Sequence, residues 1–221
     1  MAAGKGSRLV GGAGGSKPMF PIHGRPMIAQ VIDRIYNAGI ENLVVTVRPG
    51  DVELLAFLGE ERRFGALSVI QKDTRAALDS FLAIEEALAG NPRMICTCDV
   101  RFSERDLRDF LKFCSSALAR ADMVALVSRF VHDARPIWVE ADRHGRILKY
   151  GKSIPETGLV YGNIRALNAD FRLGAIPSTI GHLTDLMTHL IARGDFSALA
   201  HECGAVVDVD SMDDLKFLND E

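Results

Sequence analysis

The sequence predicts an α/β fold, a three-layer αβα domain built on a mostly parallel mixed sheet. Through residues 26–119, short apolar runs rich in β-branched residues alternate with longer segments of helical periodicity. This alternation is typical of a parallel sheet covered by helices on both faces. The second half is richer in β-like runs joined by short polar connections, which indicates an antiparallel extension of the same sheet.

The elements of the first half follow from their local patterns. Between Pro26 and Gly39, apolar residues recur at helical spacing, which predicts a helix. Further strands are predicted at 42–47, 66–71 and 93–99, with helices at 51–58 and 74–88. Ser103, a typical N-cap residue, precedes another helical pattern.

In the second half, β-like runs cover 123–128, 137–142, 146–151 and 159–167, and "DRHG" between two of them predicts a hairpin turn. A helix at 182–193, a strand at 204–210 and a helix at 211–218 complete the prediction. Acidic residues at the start of the last segment favour the positive end of a helix.

Composition limits the classes of partner. The chain has 221 residues, of which 48% are hydrophobic and 25% charged, and a net charge of −3. This length predicts a single domain spanning 1–221, and the weak net charge argues against nucleic acid or a membrane surface as partner. No apolar run reaches the roughly 18 residues of a membrane helix, and no secretory pattern is visible, so a cytoplasmic location is expected. Nothing in the pattern predicts an oligomeric state.

Cysteine and histidine give no metal signature. Cys96 and Cys98 lie in an apolar run, whereas Cys114 and Cys203 are far apart, so reduced core thiols are expected. The six histidines are scattered without the spacing of metal ligands.

The first chemically informative stretch is the opening "MAAGKGSRLVGGAGGSKPMF", with six glycines among three cations, Lys5, Arg8 and Lys17. Glycines let backbone N–H groups approach an anion and the cations supply opposite charge, which is how proteins hold phosphates. A flexible surface loop is the alternative. A phosphate loop normally follows a strand, yet only three residues precede this one, so we expect a first strand that is truncated at the N-terminus.

Two aspartates end predicted strands. Asp99 ends "MICTCD" and Asp208 lies in "VVDVDS". Ligands of open α/β sheets collect at the carboxyl ends of strands, and magnesium typically takes one or two carboxylates together with phosphate oxygens. The two side chains are therefore candidate ligands of Mg²⁺ on a polyphosphate. Taken singly, each aspartate is also a common turn or N-cap residue.

These segments carry a resemblance. "AAGKGSRL" followed by "SKPMFPIHGRPMI" resembles the signature of the sugar-phosphate nucleotidyltransferase superfamily, and the similarity continues in order through "QKDTRAALDS", "CDV", "GRILKYGKSIPETGLVYGNIRAL" and "VVDVDSMDDL". The resemblance implies the Rossmann-like nucleotide-diphospho-sugar transferase fold. It also implies an enzyme that joins a nucleoside triphosphate to a phosphorylated small molecule and releases pyrophosphate.

The resemblance assigns roles residue by residue. It implies that Arg8 and Lys17 are catalytic, that Asp99 and Asp208 (rather than Asp210) bind magnesium, that Ala3, Gly4, Gly6, Ser7, Gln71 and Ala76 bind the nucleotide, and that Lys152, Gly162 and Asn163 bind the acceptor. Such a reaction needs alignment and charge neutralisation, not a protein nucleophile. Magnesium with fixed cations would form an electrostatic clamp.

The acceptor and the base stay open. Sugar 1-phosphates are the leading acceptors, with phosphocholine-like alcohol phosphates and the molybdopterin cofactor as alternatives. A catalytically inactive sensor of the same fold is the main alternative function, although the retained cations and aspartates favour catalysis. Two departures are notable: Ser16 replaces the usual proline, and Ala76 and Ala77 stand where relatives commonly have Gly and Thr.

Other classes of site fit less well. A dinucleotide-binding motif lacks its third glycine, because Leu9 stands there. A P-loop is excluded because Ser16 and Pro18 flank Lys17. No G-x-S-x-G nucleophile elbow is present.

Overall fold

A computed structural model describes residues 1–3 and 15–218. Most of the glycine loop, including the predicted site residues Gly4, Gly6, Ser7 and Arg8, lies outside the described residues. In those ranges the helices and strands are, in chain order, β1 (Pro21–Ile22), β2 (Arg25–Pro26), α1 (Met27–Asn37), β3 (Asn42–Val47), α2 (Val52–Glu60), β4 (Ala66–Gln71), α3 (Ala77–Leu88), β5 (Arg93–Cys96), β6 (Val100–Arg101), α4 (Glu104–Ala117), β7 (Met123–Ser128), β8 (Trp138–Ala141), β9 (Ile147–Gly151), β10 (Val160–Leu167), α5 (Leu183–Arg193), β11 (Ala198–Cys203) and β12 (Val207–Asp208). Two 3-10 helices span Lys17–Met19 and Met212–Phe217.

The α/β fold class is confirmed, with a mixed central sheet. Strand β10 pairs antiparallel with β7 along one edge and with β5 and β8 along the other, and β8 continues to β9. Parallel pairs are β7 with β11 and β3 with β4. The antiparallel extension expected for the second half is therefore present.

Helices cover both faces of the central sheet. Strand β7 is buried at every position, and its residues alternate between two cores. One core packs Met123, Ala125 and Val127 against α3 and α5, and the other packs Val124 and Leu126 against α4. The three-layer αβα arrangement follows from this double-sided burial. A third core joins α1 and α2 to β3.

Most predicted elements exist within a few residues of their expected bounds. Ser103 caps α4 by accepting a hydrogen bond from the Asp106 backbone, and the hairpin turn places Gly145 at φ +79°. The expected closing helix is a short 3-10 helix instead. The predicted strand 204–210 is reduced to β12, and β11 was not predicted, because its "ALAHEC" sequence has no β-branched residue and forms a strand only through its pairing with β7.

The first residues lie between β3 and β5. The Met1 amine donates to the Cys96 carbonyl at 2.8 Å, and the Ala2 N–H donates to the Thr46 carbonyl at 3.0 Å. All four cysteines are free thiols, as expected. Of the helices in the described ranges, none is long and apolar enough to cross a membrane.

Candidate active site

Lys17 lies among three aspartates, Asp99, Asp208 and Asp210, which together with it are here called the acidic cluster. Lys17 begins a 3-10 helix that follows the glycine loop in the sequence, and its side chain is only 6% exposed. The ammonium donates to Asp99 Oδ2 and to Asp210 Oδ1, each at 2.6 Å. The structure thus brings together two segments that are 82 and 193 residues from Lys17 in the chain.

Strand pairing explains why the aspartates meet. Strand β12 pairs antiparallel with β6, so that Asp208 lies opposite Val100, and the Val209 N–H donates to the Asp99 carbonyl at 3.0 Å. This two-stranded ribbon holds Asp99 beside the "DVD" segment. The expectation that Asp99 and Asp208 lie close together is therefore consistent with the backbone register.

The acidic cluster carries more negative than positive charge among the described residues. Burial opposes the charged form of Lys17, yet the neighbouring charge of Asp99 and the hydrogen bond to Asp210 raise its pKa. Burial also acts on Asp99, but the Lys17 ammonium holds the pKa of that carboxyl below its ordinary value. Burial, followed by the negative charges of Asp99 and Asp210, raises the pKa of Asp208 well above its ordinary value, because the opposing charge of Lys17 is too weak to offset them.

Two carboxylate oxygens of the acidic cluster are suited to a cation. Oδ1 of Asp99 and Oδ1 of Asp208 are buried and accept no hydrogen bond from any described residue. A buried carboxylate oxygen without a partner is costly, and a hard divalent cation would satisfy it. Within 1–3 and 15–218, no group of three or more His, Cys, Asp or Glu side chains is arranged to hold a metal. A metal here would therefore need oxygens from a ligand, as magnesium on a polyphosphate has.

A cavity of about 140 Å³ adjoins the acidic cluster. We call it the Lys152 cavity, because Lys152 lines it together with Gly162, Asn163, Asp208 and Asp210. All three residues predicted to bind the acceptor are thus brought to the predicted metal ligand Asp208.

A β-bulge shapes this cavity. The register between β10 and β7 shifts between Tyr161 and Arg165, and Asn163 adopts a left-handed φ of +58°. Bulges re-aim side chains and are common beside active sites, and asparagine tolerates this backbone conformation. Gly162 packs tightly, since an added Cβ would lie 3.3 Å from both the Leu126 carbonyl oxygen and the Val206 side chain.

Sequence reasoning missed His132, which lines the same cavity. Its Nε2 lies 3.2 Å from the Asp208 backbone nitrogen and 3.3 Å from the Asp208 carbonyl oxygen, and its ring stacks on Phe130. His132 therefore fixes the backbone of a predicted metal ligand. No sequence signal marks it, because the loop between β7 and β8 has no motif.

The described residues that are predicted to bind the nucleotide make fewer connections to the candidate site. Ala3 is buried at the end of the N-terminal stretch, Gln71 is exposed at the end of β4, and Ala76 caps α3. Gln71 and Ala76 do not line the Lys152 cavity.

The departure from the family motif at Ser16 has a structural reason. The Ser16 hydroxyl donates to Asp51 at 2.8 Å, which ties the residue before Lys17 to the N-cap of α2.

Comparison with known proteins agrees with this geometry. Residues 1–168 match the MobA-like NTP transferase domain. A glucose-1-phosphate thymidylyltransferase of Xanthomonas campestris pv. campestris is 26% identical over 210 residues, which cover 88% of this chain and 69% of that protein.

Two solved structures share the fold. One, from Bacillus anthracis and assigned as a glucose-1-phosphate thymidylyltransferase, has a TM-score of 0.80 at 17% identity and covers 98% of this chain and 90% of its own. The other is the inositol-1-phosphate CTP transferase from T. maritima, with a TM-score of 0.75 at 17% identity. The match covers 99% of this chain and 89% of the chain of that transferase. With three quarters of its length matched, a mixed αβα sheet and the ordered motifs around Lys17 and Asp99, the chain belongs to the MobA-like NTP transferase domain family and is a nucleotidyltransferase.

Proposed function

We propose that this protein is a magnesium-dependent nucleotidyltransferase that transfers a nucleoside monophosphate from a nucleoside triphosphate to a sugar 1-phosphate, with release of pyrophosphate. The observation that carries the proposal is the position of Lys17, Asp99 and Asp208 beside the Lys152 cavity. The relative from Xanthomonas, which acts on glucose 1-phosphate by its name, supports this class of acceptor. We further propose that residues 1–221 form one nucleotidyltransferase domain.

Asp99 and Asp208 would hold the magnesium ion through the carboxylate oxygens that accept no hydrogen bond from the described residues. The ion, when bound, would neutralise charge on the phosphates during transfer. Asp210 is the less suitable ligand, because its Oδ1 already accepts from Lys17 and its side chain is 49% exposed.

Lys17 would balance charge where the two phosphates approach each other. Its ammonium is held in place by two carboxylates, so little reorganisation is needed when substrates bind. Arg8, Gly4, Gly6 and Ser7 are proposed to hold the triphosphate. Ala3, Gln71 and Ala76 are proposed to bind the nucleoside, on the strength of the family motifs alone.

The acceptor would occupy the Lys152 cavity. Lys152 supplies a cation for the acceptor phosphate or sugar, and Gly162 and Asn163 supply backbone and amide groups at the bulge. This cavity of about 140 Å³ is lined by Asp208 and Asp210, beside which the acceptor phosphate would lie.

Pyrophosphate release tests the proposal. The full chain is incubated with each of the four ribonucleoside triphosphates and deoxythymidine triphosphate, with sugar 1-phosphates, and with or without Mg²⁺. We expect pyrophosphate and the nucleoside diphosphate sugar in equal amounts, and neither product in the presence of a chelator. Nucleotide binding without pyrophosphate for any acceptor would overturn the proposal.

A further inference from the structure

A second, smaller cavity of about 120 Å³ lies behind the first. Tyr161 and Asn163 line both cavities, so the two share a wall at the β10 bulge. The second is here called the Arg165 cavity, because Arg165 lines it, with Tyr150 and Thr184 on the opposite elements. None of the roles assigned above uses it.

Arg165 is a buried cation without a counter-charge. The residue is 5% exposed, and it forms no salt bridge with any described residue. Its Nε–H donates to the Tyr161 hydroxyl at 2.8 Å, while Nη1 is buried without a hydrogen-bond partner. A guanidinium has five N–H donors, so most of its capacity is unused inside the protein.

The surroundings of Arg165 are apolar or neutral. Its guanidinium carbon lies 4.8 Å from the Tyr161 ring centre and 5.9 Å from that of Phe81, which stabilises the faces of the cation but not its N–H edge. The Tyr150 hydroxyl is also buried and makes no hydrogen bond of standard geometry with any described residue, although it is near enough to interact with Arg165. Burial raises the pKa of both tyrosines, so neither phenol is an anion at neutral pH.

Burying an unpaired charge is expensive, and it persists where function requires it. The unpaired donors of Arg165 and the hydroxyl of Tyr150 meet at a cavity that shares the lining residues Tyr161 and Asn163 with the acceptor site. A guanidinium edge matches the geometry of a carboxylate or a phosphate. The position and charge of the Arg165 cavity are therefore those of an anion subsite.

We propose that the Arg165 cavity binds a second anionic group of the acceptor, so that the preferred substrate is a sugar 1-phosphate that also carries a carboxylate or a second phosphate. This inference rests on the proposed function for the identity of the acceptor. The acceptor's 1-phosphate, which attacks the nucleotide, would lie at Asp208, its ring would fill the Lys152 cavity, and the second anion would reach past Asn163 to Arg165.

Matched acceptor pairs test the proposal. Glucose 1-phosphate is compared with glucuronic acid 1-phosphate and glucose 1,6-bisphosphate, and galactose 1-phosphate with galacturonic acid 1-phosphate. Each is assayed for pyrophosphate release, and for direct binding by calorimetry without nucleotide. We expect kcat/KM and affinity to favour at least one acceptor with a second anionic group over its matched sugar 1-phosphate about tenfold or more, as for a hydrogen bond between charged groups.

Arg165→Met should bring that ratio down to about one, while Arg193→Met, at an exposed arginine paired with Asp195, should leave it unchanged. Tyr150→Phe, which keeps the ring, should reduce the ratio in part, and it replaces Arg165→Met if that variant does not fold. No charged preference in the native protein, or a preference that survives in both cavity variants, would overturn the inference. Failure of the proposed function would give a different result, because no acceptor would then release pyrophosphate. In that case the binding measured by calorimetry alone tests whether the Arg165 cavity binds an anion.

Discussion

Two buried cations, Lys17 and Arg165, lie in opposite electrostatic environments. Lys17 is bonded by two carboxylates, with Asp208 beside them, whereas Arg165 contacts aromatic rings and phenols and has no carboxylate partner among the described residues. The acidic cluster thus has surplus negative charge, and the Arg165 cavity has surplus positive charge. This polarity is complementary to the proposed magnesium-bound phosphate at the first and to the proposed anion at the second.

The buried pair of Arg93 and Glu85, in which each charge has one opposite partner, can be compared with Lys17 and Arg165. Both side chains are buried, the Arg93 Nε donates to Glu85 Oε1 at 2.8 Å, and a second bond joins Nη2 to Oε2. Arg93 also donates to two backbone carbonyls. Arg93 is far more fully hydrogen-bonded than Arg165, and its single carboxylate partner balances its charge, unlike the several carboxylates around Lys17; both features mark the pair as structural.

The largest expected effect is on the balanced pair. Glu85→Ala leaves the Arg93 charge buried and uncompensated, so we expect the free energy of unfolding to fall by about 3–5 kcal/mol. Urea denaturation followed by circular dichroism measures it. Glu86→Ala, at the exposed neighbouring position, is the control and should stay within about 0.5 kcal/mol. Equal changes in the free energy of unfolding of the two variants would contradict a structural role for the pair of Arg93 and Glu85.

Asp99→Asn should affect turnover rather than folding. Loss of a metal ligand and of a Lys17 partner should lower kcat about 100-fold or more, equivalent to about 2.7 kcal/mol. The free energy of unfolding should change by less than about 1 kcal/mol, because Lys17 keeps Asp210 and repulsion with Asp208 is relieved. Asp170→Asn, on the exposed surface, is the matched control. Normal turnover by folded Asp99→Asn protein would contradict the assignment.

Asp208 and Asp210 differ in their expected dependence on magnesium. Asp208→Asn removes a carboxylate with an unpartnered oxygen, so the Mg²⁺ concentration for half-maximal rate should rise about tenfold or more. Asp210→Asn should change that concentration less, since its carboxylate bonds Lys17. A Mg²⁺ titration of initial rates compares the two. The reverse order would make Asp210 the ligand.

The smallest effect is expected for an ion pair near the surface. Hydrogen bonds from the Arg63 side chain lower the pKa of Glu61 from 4.5 to about 2. The resulting stability is present above pH 4.5 and is lost as the pH falls from about 4.5 to 2. Because solvent screens the pair, the total should be below about 1 kcal/mol. Unfolding of native protein and Glu61→Gln at pH 7 and pH 3 measures it, and equal differences at the two pH values would contradict it.

Local patterns predicted most of the fold. Period-3.6 spacing predicted α1, and apolar β-branched runs predicted β3 and β7, because these signals act over a few residues. Strand β11 was missed since pairing with β7, not its own sequence, makes it a strand. The predicted acceptor residues Lys152, Gly162 and Asn163 do share one cavity, whereas Gln71 and Ala76 do not line it.

The sequence by itself determined the αβα class and the family, and it supplied the site residues as predictions, because periodicity and ordered motifs are local properties of the chain. Only the tertiary structure decided how charge is distributed among the side chains of the candidate site. Pairing of β6 with β12 put Asp99, Asp208 and Asp210 around Lys17, whereas the fold buries Arg165 with no carboxylate partner among the described residues. The electrostatic energy of a buried group depends on distances between residues far apart in the chain, and those distances exist only after folding.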